Sequence, residues 1–122
     1  MNPAAIPDSL RPPVLSICLS TFNRARYLDC LLQDLVTHIG ELGCTYELLI
    51  GDNASEDQTP EVVRRYESQL AMRYIRRPQN VGPERNRSQL LGAAKGRYVV
   101  FLADVGIVLQ IRNMTTEGTE NQ

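Results

Sequence analysis

Polar side chains that could bind a ligand follow directly after a short apolar run in the first half of the sequence. The run covers residues 48–50, and Asp52, Asn53, Ser55 and Asp57 come after it. An unbroken apolar run is typical of a strand covered on both faces, and open α/β sheets bind ligands beyond the carboxyl ends of their strands. We interpret the Asp52 carboxylate as a group that binds the nucleoside part of a nucleotide. The alternative is that these residues only form a turn.

The composition is that of an ordinary globular domain with almost balanced charge. The chain has 122 residues, of which 43% are hydrophobic and 22% are charged, so we expect a single domain at most. The formal net charge of -1 argues against a nucleic-acid-binding protein, because no excess of basic side chains is available to neutralise phosphates. A local group of arginines could still serve one small anionic ligand: Arg73, Arg76, Arg77, Arg85 and Arg87.

The cysteines and the histidine give no sign of a disulfide framework or a zinc site. Cys18, Cys30 and Cys44 are odd in number and lack Cys-x-x-Cys spacing, so we expect reduced thiols in a cytoplasmic protein. His38 is expected on a helix flank, without partners for metal binding. The sequence contains no stretch as long and apolar as a membrane helix, and residues 1–13 are predicted to be a flexible tether, not a signal peptide.

Strands and helices are predicted to alternate from residue 14 onwards. We expect strands at residues 14–20, 47–51, 72–76 and 98–102, and helices at residues 28–39, 60–70 and 84–95. This order predicts an open, mainly parallel α/β sheet with crossover helices. The polar residues after the strands should then meet at one edge and form one crevice: residues 21–24, 52–57, 77–80 and 104. A dinucleotide-dependent oxidoreductase fits this winding, but the loop after the first strand lacks Gly-x-Gly-x-x-Gly.

Four segments together resemble the N-terminal half of a family 2 glycosyltransferase, whose Rossmann-like GT-A fold uses nucleotide-diphosphate sugars. They are VLSICLSTFNRARYL (14–28), ELLIGDNASEDQT (47–59), NVGPERNR (80–87) and GRYVVFLAD (96–104). Each segment alone is weakly specific, whereas all four in this order and spacing are a strong signal. The resemblance implies a glycosyltransferase that takes a sugar from a nucleotide donor, with a UDP-sugar favoured, and passes it to an acceptor that no residue identifies.

The resemblance also implies which residues bind the nucleotide sugar. They are Thr21, Phe22, Asn23, Asp52, Asn53, Ser55, Gly82, Arg85, Asn86 and Asp104. The loop at residues 21–23 would lie against the base, where an aromatic face is suitable, although Phe22 as a core residue is the alternative. Asp52 would accept a hydrogen bond from the base, and Arg85 would pair with phosphate oxygens unless it is only a solvated helix charge. Asp57 is expected to brace the loop or to cap the following helix.

The metal site of the family is only partly matched. The resemblance implies an Asp-x-Asp element after the fourth strand that holds a divalent cation, Mg²⁺ or Mn²⁺, on the diphosphate. Here Asp104 is followed by Val105 and Gly106, whose side chains offer no ligand atoms. We therefore expect Asp104 to be a remnant ligand and the cation not to be held by this chain.

The pattern of strands and helices is predicted to stop after residue 104. We expect a nucleotide-sugar-binding half at residues 14–104 and an atypical tail at residues 105–122 that is not family sequence, as a truncation or frameshift would produce. No general base is identifiable, because Glu117 and Glu120 lie in that tail. The sheet is expected to end with its fourth strand. Sugar transfer by this chain is expected to be weak or absent, and a non-catalytic nucleotide-binding fragment or interaction module is the alternative.

Overall fold

The computed structural model of the protein describes residues 11–103 and 111–113. The elements follow in the order β1 (Leu15–Thr21), α1 (Ala25–His38) with a 3-10 turn (Ile39–Glu41), β2 (Tyr46–Asp52), α2 (Thr59–Tyr66), β3 (Met72–Arg76), α3 (Pro83–Ala93), β4 (Tyr98–Ala103) and β5 (Ile111–Asn113). The predicted alternation of strands and helices up to β4 is confirmed, with element ends shifted by a few residues.

Local sequence signals explain where the helices begin and which face they bury. Pro60 and Pro83 lie in the first turns of α2 and α3, where the missing N–H of proline costs no helical hydrogen bond. In α1, Leu28 and Leu32 are fully buried, as expected for apolar residues four positions apart. Within the described ranges, no helix combines the length and apolar character needed to cross a lipid bilayer.

The sheet has the strand order β3-β2-β1-β4-β5. β1 pairs in parallel with both β2 and β4, and β2 pairs in parallel with β3. The register places Thr21 opposite Asp52 and Asp52 opposite Arg76, so the carboxyl ends of three adjacent strands lie side by side. The predicted open, mainly parallel sheet is therefore confirmed, and β3 lies at its edge.

Successive residues of the central strands pack against different layers of helices. Ile17 and Leu19 of β1 belong to one buried cluster, which also contains the buried faces of α1 and α2. Cys18, which lies between them, belongs to a second cluster with Leu49 and Leu90, a residue of α3. Because side chains alternate across a strand, helices cover both faces of the sheet. This double covering explains why the strands read as continuous apolar runs.

One expectation about the sheet was wrong. We predicted that it would end with the fourth strand, but the short strand β5 pairs antiparallel with β4, with Asn113 opposite Tyr98 and Ile111 opposite Val100. Strand pairing uses backbone hydrogen bonds, so a segment with little apolar content can add to a sheet edge. The polar composition of residues 112–122 gave no signal of this.

A polar cluster at the opposite, amino-terminal edge fixes the connection between α3 and β4. Glu47 Oε2 accepts hydrogen bonds from the Ser16 hydroxyl (2.5 Å) and from the Lys95 N–H (2.6 Å). The Ser16 oxygen in turn accepts the Gly96 N–H at 2.8 Å. A Cβ atom on Gly96 would lie 2.6 Å from the backbone nitrogen of Ser16, so only glycine allows this approach.

Gly96→Ala is expected to lower the free energy of unfolding by about 2 kcal/mol, because the added methyl group would push against backbone atoms that cannot rotate away. Urea unfolding followed by circular dichroism measures this. Gly92→Ala is the matched control, since a Cβ there meets no atom within 4 Å and alanine favours the helix. Equal unfolding midpoints for the two variants would contradict the prediction.

Candidate functional site

A crevice opens at the carboxyl edge of the sheet, where β1 and β2 end. Its volume is about 290 Å³, and it is lined by residues of both strand ends, the loop after β1 and the start of α3: Ser20, Thr21, Phe22, Arg24, Asn53, Pro83 and Asn86. Four of the lining residues are among the predicted site residues. The structure thus brings the polar residues that follow β1 and β2 together, as the parallel sheet requires.

The loops after β1 and β2 are held together by hydrogen bonds. The Asn53 N–H donates to the Thr21 carbonyl oxygen (3.0 Å), and the Asn23 N–H donates to the Ser55 hydroxyl (2.8 Å). The Asn23 side chain contacts the same loop, because its Oδ1 accepts a hydrogen bond from the Glu56 N–H at 2.7 Å. Asn23 has a positive φ of 52°, a conformation that asparagine tolerates better than most residues. Asn23 and Ser55 therefore shape the wall of the crevice.

The Asp52 side chain, for which we predicted a contact with the base, lies inside the protein. Its side chain is completely buried, and its oxygens accept hydrogen bonds from the Ser55 N–H (2.9 Å) and from the Tyr74 hydroxyl. Arg76 Nε lies 3.8 Å from the Asp52 Oδ2 atom and adds a positive charge. A buried carboxylate needs such partners. In this arrangement Asp52 holds the ends of β2 and β3 and the loop after β2 together, and it is not a lining residue of the crevice.

Asn53, the next residue, faces the crevice instead. It is only 3% exposed, and its Oδ1 accepts a hydrogen bond from the Val81 N–H at 2.9 Å. This contact ties the loop before α3 to the end of β2. Gly82 follows with a φ of 91°, in the left-handed region that favours glycine, and its N–H donates to Asn80 Oδ1 at 2.8 Å. Gly82 therefore sets the direction in which α3 leaves the crevice.

Asn86 lines the crevice, but its amide is used within the protein. Its Nδ2 donates to the Gly51 carbonyl oxygen (2.8 Å), and its Oδ1 accepts a hydrogen bond from Arg77 Nε (3.0 Å). A Cβ atom on Gly51 would lie 2.6 Å from Asn86 Oδ1, so β2 needs a glycine here. Sequence reasoning missed this role of Gly51 and Arg77, although a glycine inside a strand is a known sign of close approach by another group.

Phe22 and Arg24 supply the exposed part of the crevice. Phe22 is 42% exposed, so it is not a core residue. Arg24, which sequence reasoning did not single out, lies in the loop just before α1, with its guanidinium 4.6 Å from the ring centre of Tyr27. Arg85 is exposed on α3 and is not among the lining residues.

Asp57 braces the loop and caps the following helix, as predicted, and it also caps the preceding helix α1, which was not predicted. Its Oδ2 accepts the N–H of Ala25, the first residue of α1 (3.1 Å), and its Oδ1 accepts the N–H (3.0 Å) and hydroxyl (2.5 Å) of Thr59, the first residue of α2. Desolvation raises the pKa of Asp57, but the hydrogen bonds from Thr59 and Ala25 together outweigh it, and the pKa lies below the ordinary aspartate value.

The described residues do not form a metal site. Asp104 lies outside the described residues, and within ranges 11–103 and 111–113 no three acidic, cysteine or histidine side chains are grouped so that they could hold an ion. Asp52 at the end of β2 and Asp57 in the loop after it use their oxygens for hydrogen bonds inside the protein. The described residues therefore do not fit a divalent cation.

Tyr74→Phe is expected to lower the free energy of unfolding by about 1–3 kcal/mol, because it removes a hydroxyl that donates to the buried Asp52 carboxylate. In the folded protein, burial and the hydrogen bond to Asp52 raise the pKa of Tyr74. Chemical unfolding near neutral pH measures the loss. Tyr27→Phe, at an exposed tyrosine, is the control, and an equal effect of both changes would contradict the role given to Tyr74.

The contribution of Asp57 to stability is expected to depend on pH. Because its folded-state pKa is lowered, the ionised form stabilises the fold above the unfolded-state pKa, and this contribution is lost as the pH falls through the folded-state pKa. Asp57→Asn should therefore destabilise the protein clearly at about pH 7 and much less at about pH 3. The measurement is urea unfolding at both pH values, with the exposed Asp34→Asn as control. A deficit independent of pH would contradict the prediction.

Comparison with known proteins shows which family the chain matches. A family model described as glycosyl transferase family 2 matches residues 16–104. The abequosyltransferase RfbV of Salmonella typhimurium is 33% identical over 87 residues, which cover 70% of this chain and 26% of that protein. The chondroitin synthase of Escherichia coli is 34% identical over 90 residues, covering 72% of this chain and 13% of that protein. The chain thus spans about a quarter or less of the length of these curated relatives.

Solved structures show the same architecture. The crystal structure of TarS from Staphylococcus aureus in complex with UDP matches with a TM-score of 0.64 and 27% identity, covering 74% of this chain and 27% of that one. The mannosyltransferase PcManGT from Pyrobaculum calidifontis, solved with GDP-Man and Mn²⁺, matches with a TM-score of 0.62 over 83% of this chain and 30% of that one; at 24% identity this likeness shows the fold alone. With the family match and the predicted GT-A type of α/β sheet both confirmed, the chain belongs to glycosyl transferase family 2.

Proposed function

We propose that the crevice binds the nucleoside diphosphate of a nucleotide sugar, with UDP favoured, and that this chain forms the donor-binding part of a glycosyltransferase. The observation that carries the proposal is the position of the crevice. It lies beyond the carboxyl ends of two adjacent parallel strands, within the region that matches the family. The related TarS, solved with UDP, supports uridine as the base.

The size and lining of the crevice suit part of such a ligand. Its volume of about 290 Å³ is near the lower end of the range of small-molecule sites, about 300–1,000 Å³, so it fits one part of a nucleotide sugar and not the whole. The exposed ring of Phe22 offers a face on which a base can stack. Arg24 and the amino-terminal end of α3, where Pro83 lines the crevice, are suited to the negative diphosphate.

The remaining predicted residues take supporting roles in this proposal. Thr21, Asn23 and Ser55 shape the loop wall, and Gly82 and Asn86 fix the start of α3 against β2. Asp52 acts through this framework and not by touching the base, since its side chain is buried. Arg85, which is exposed on α3, would contact the diphosphate or the sugar on the outer side of that helix.

Sugar transfer belongs to the whole protein and is proposed on family membership. A divalent cation would neutralise the charge that develops on the diphosphate as the sugar–phosphate bond breaks. Because the described residues do not fit that cation, we propose that they bind the nucleotide. We assign Asp104 as the one carboxylate that this chain has at the position of the family's Asp-x-Asp element. The acceptor is left open. All three cysteines lie in the described part and are free thiols, which supports a cytoplasmic location.

Isothermal titration calorimetry with UDP tests the proposal. We expect the 122-residue chain to bind UDP and Phe22→Ala to weaken binding about tenfold, because one stacking contact is lost. Leu42→Ala is the control, since it truncates an exposed apolar side chain near the amino-terminal edge of the sheet. The absence of any heat of binding for UDP, GDP or CDP with the folded chain would overturn the proposal.

A further inference from the structure

Tyr27, in the first turn of α1, has a more exposed side chain than any other large hydrophobic residue of the described ranges. It is 54% exposed, and it belongs to neither of the two buried clusters of the fold. It is also not among the residues that line the crevice. Core packing therefore does not account for an aromatic ring at this position, and the contacts of the ring have to be sought on the surface.

The ring of Tyr27 contacts the guanidinium of Arg24, which does line the crevice. The Cζ atom of Arg24 lies 4.6 Å from the ring centre, within the limit of about 6 Å for a cation–π contact. The two residues are three positions apart where α1 begins, a spacing at which side chains on a helix meet. The contact restricts the directions in which the Arg24 side chain can point.

The backbone on both sides of the Arg24 side chain is fixed by other groups. The Arg24 carbonyl oxygen accepts the Leu28 N–H at 2.9 Å, and the Ala25 N–H donates to Asp57 Oδ2 at 3.1 Å. These hydrogen bonds determine where the side chain starts, but they do not determine its torsion angles. Ordering a long side chain when a ligand binds lowers the affinity. A group that orders the guanidinium beforehand therefore raises the affinity for an anion in the crevice.

We propose that Tyr27 is a positioning residue for nucleotide binding, because its ring holds the Arg24 guanidinium at the crevice before the diphosphate arrives. This inference rests on the proposed function, in which Arg24 serves the negative diphosphate. The two contacts of the guanidinium are compatible. The ring attracts its positive charge, whereas phosphate oxygens accept hydrogen bonds from its N–H groups. Tyr27 thus acts through Arg24 and does not need to touch the ligand.

Calorimetric titration of UDP into Tyr27→Leu and Tyr27→Phe tests the inference. Tyr27→Leu keeps an apolar side chain but removes the aromatic face, so we expect UDP binding about threefold weaker than in the wild-type chain. Tyr27→Phe is the matched conservative variant. It keeps the aromatic face and should retain the wild-type affinity. Because the side chain is mostly exposed, both variants should unfold in urea at the wild-type midpoint, which separates positioning from a general loss of structure.

A double-mutant cycle with Arg24→Ala shows whether Tyr27 acts through Arg24. We expect Arg24→Ala to weaken UDP binding about tenfold, and the addition of Tyr27→Leu to change the affinity no further, since no guanidinium is left to position. If Arg24→Ala binds too weakly to measure, the difference between Tyr27→Leu and Tyr27→Phe decides.

Three results would overturn the inference and leave the proposed function standing. They are wild-type affinity in Tyr27→Leu, equal losses in Tyr27→Leu and Tyr27→Phe, and losses that add in the double variant. Failure of the wild-type chain to bind any nucleoside diphosphate would overturn both the inference and the proposed function.

Discussion

The buried carboxylate of Asp52 is the constraint on which the carboxyl edge of the sheet depends. A carboxylate with no exposed surface is unfavourable unless other groups replace its hydration. Here the replacement comes from the Tyr74 hydroxyl, the Ser55 N–H and the Arg76 guanidinium, which belong to β3 and to the loop after β2. The groups that stabilise this one buried charge therefore fix two neighbouring strand ends and the first turn of the loop between β2 and α2.

This constraint divides the residues in and around the crevice into two groups. Those that build the framework have their donors and acceptors paired inside the protein, as Asp52, Asn86 and Asp57 do. Those that line the opening, Phe22 and Asn53, are positioned by that framework. A wall of paired groups favours selective binding, because it need not be ordered when a ligand arrives.

Periodicity in the sequence predicts the strands and helices, because apolar runs and helical spacing are local properties of the chain. It also predicts that the strands meet at one polar edge. The order of the strands in the sheet could not. β1 lies between β2 and β4 because its two faces and both its edges are buried by elements far away in sequence. The pairing of β5 was missed for a related reason, because the strand covers only three residues and pairs with the distant backbone of β4.

The sequence by itself determined the family, the α/β winding and four of the residues that line the crevice: Thr21, Phe22, Asn53 and Asn86. It also predicted that Asp57 braces the loop, because the hydrogen bonds of an aspartate after a strand are formed with nearby backbone. Only the tertiary structure decided which of the adjacent residues Asp52 and Asn53 lines the crevice. Neighbouring side chains at the end of a strand point in opposite directions, and which direction is inside depends on the β3 side chains that pack there, Tyr74 and Arg76.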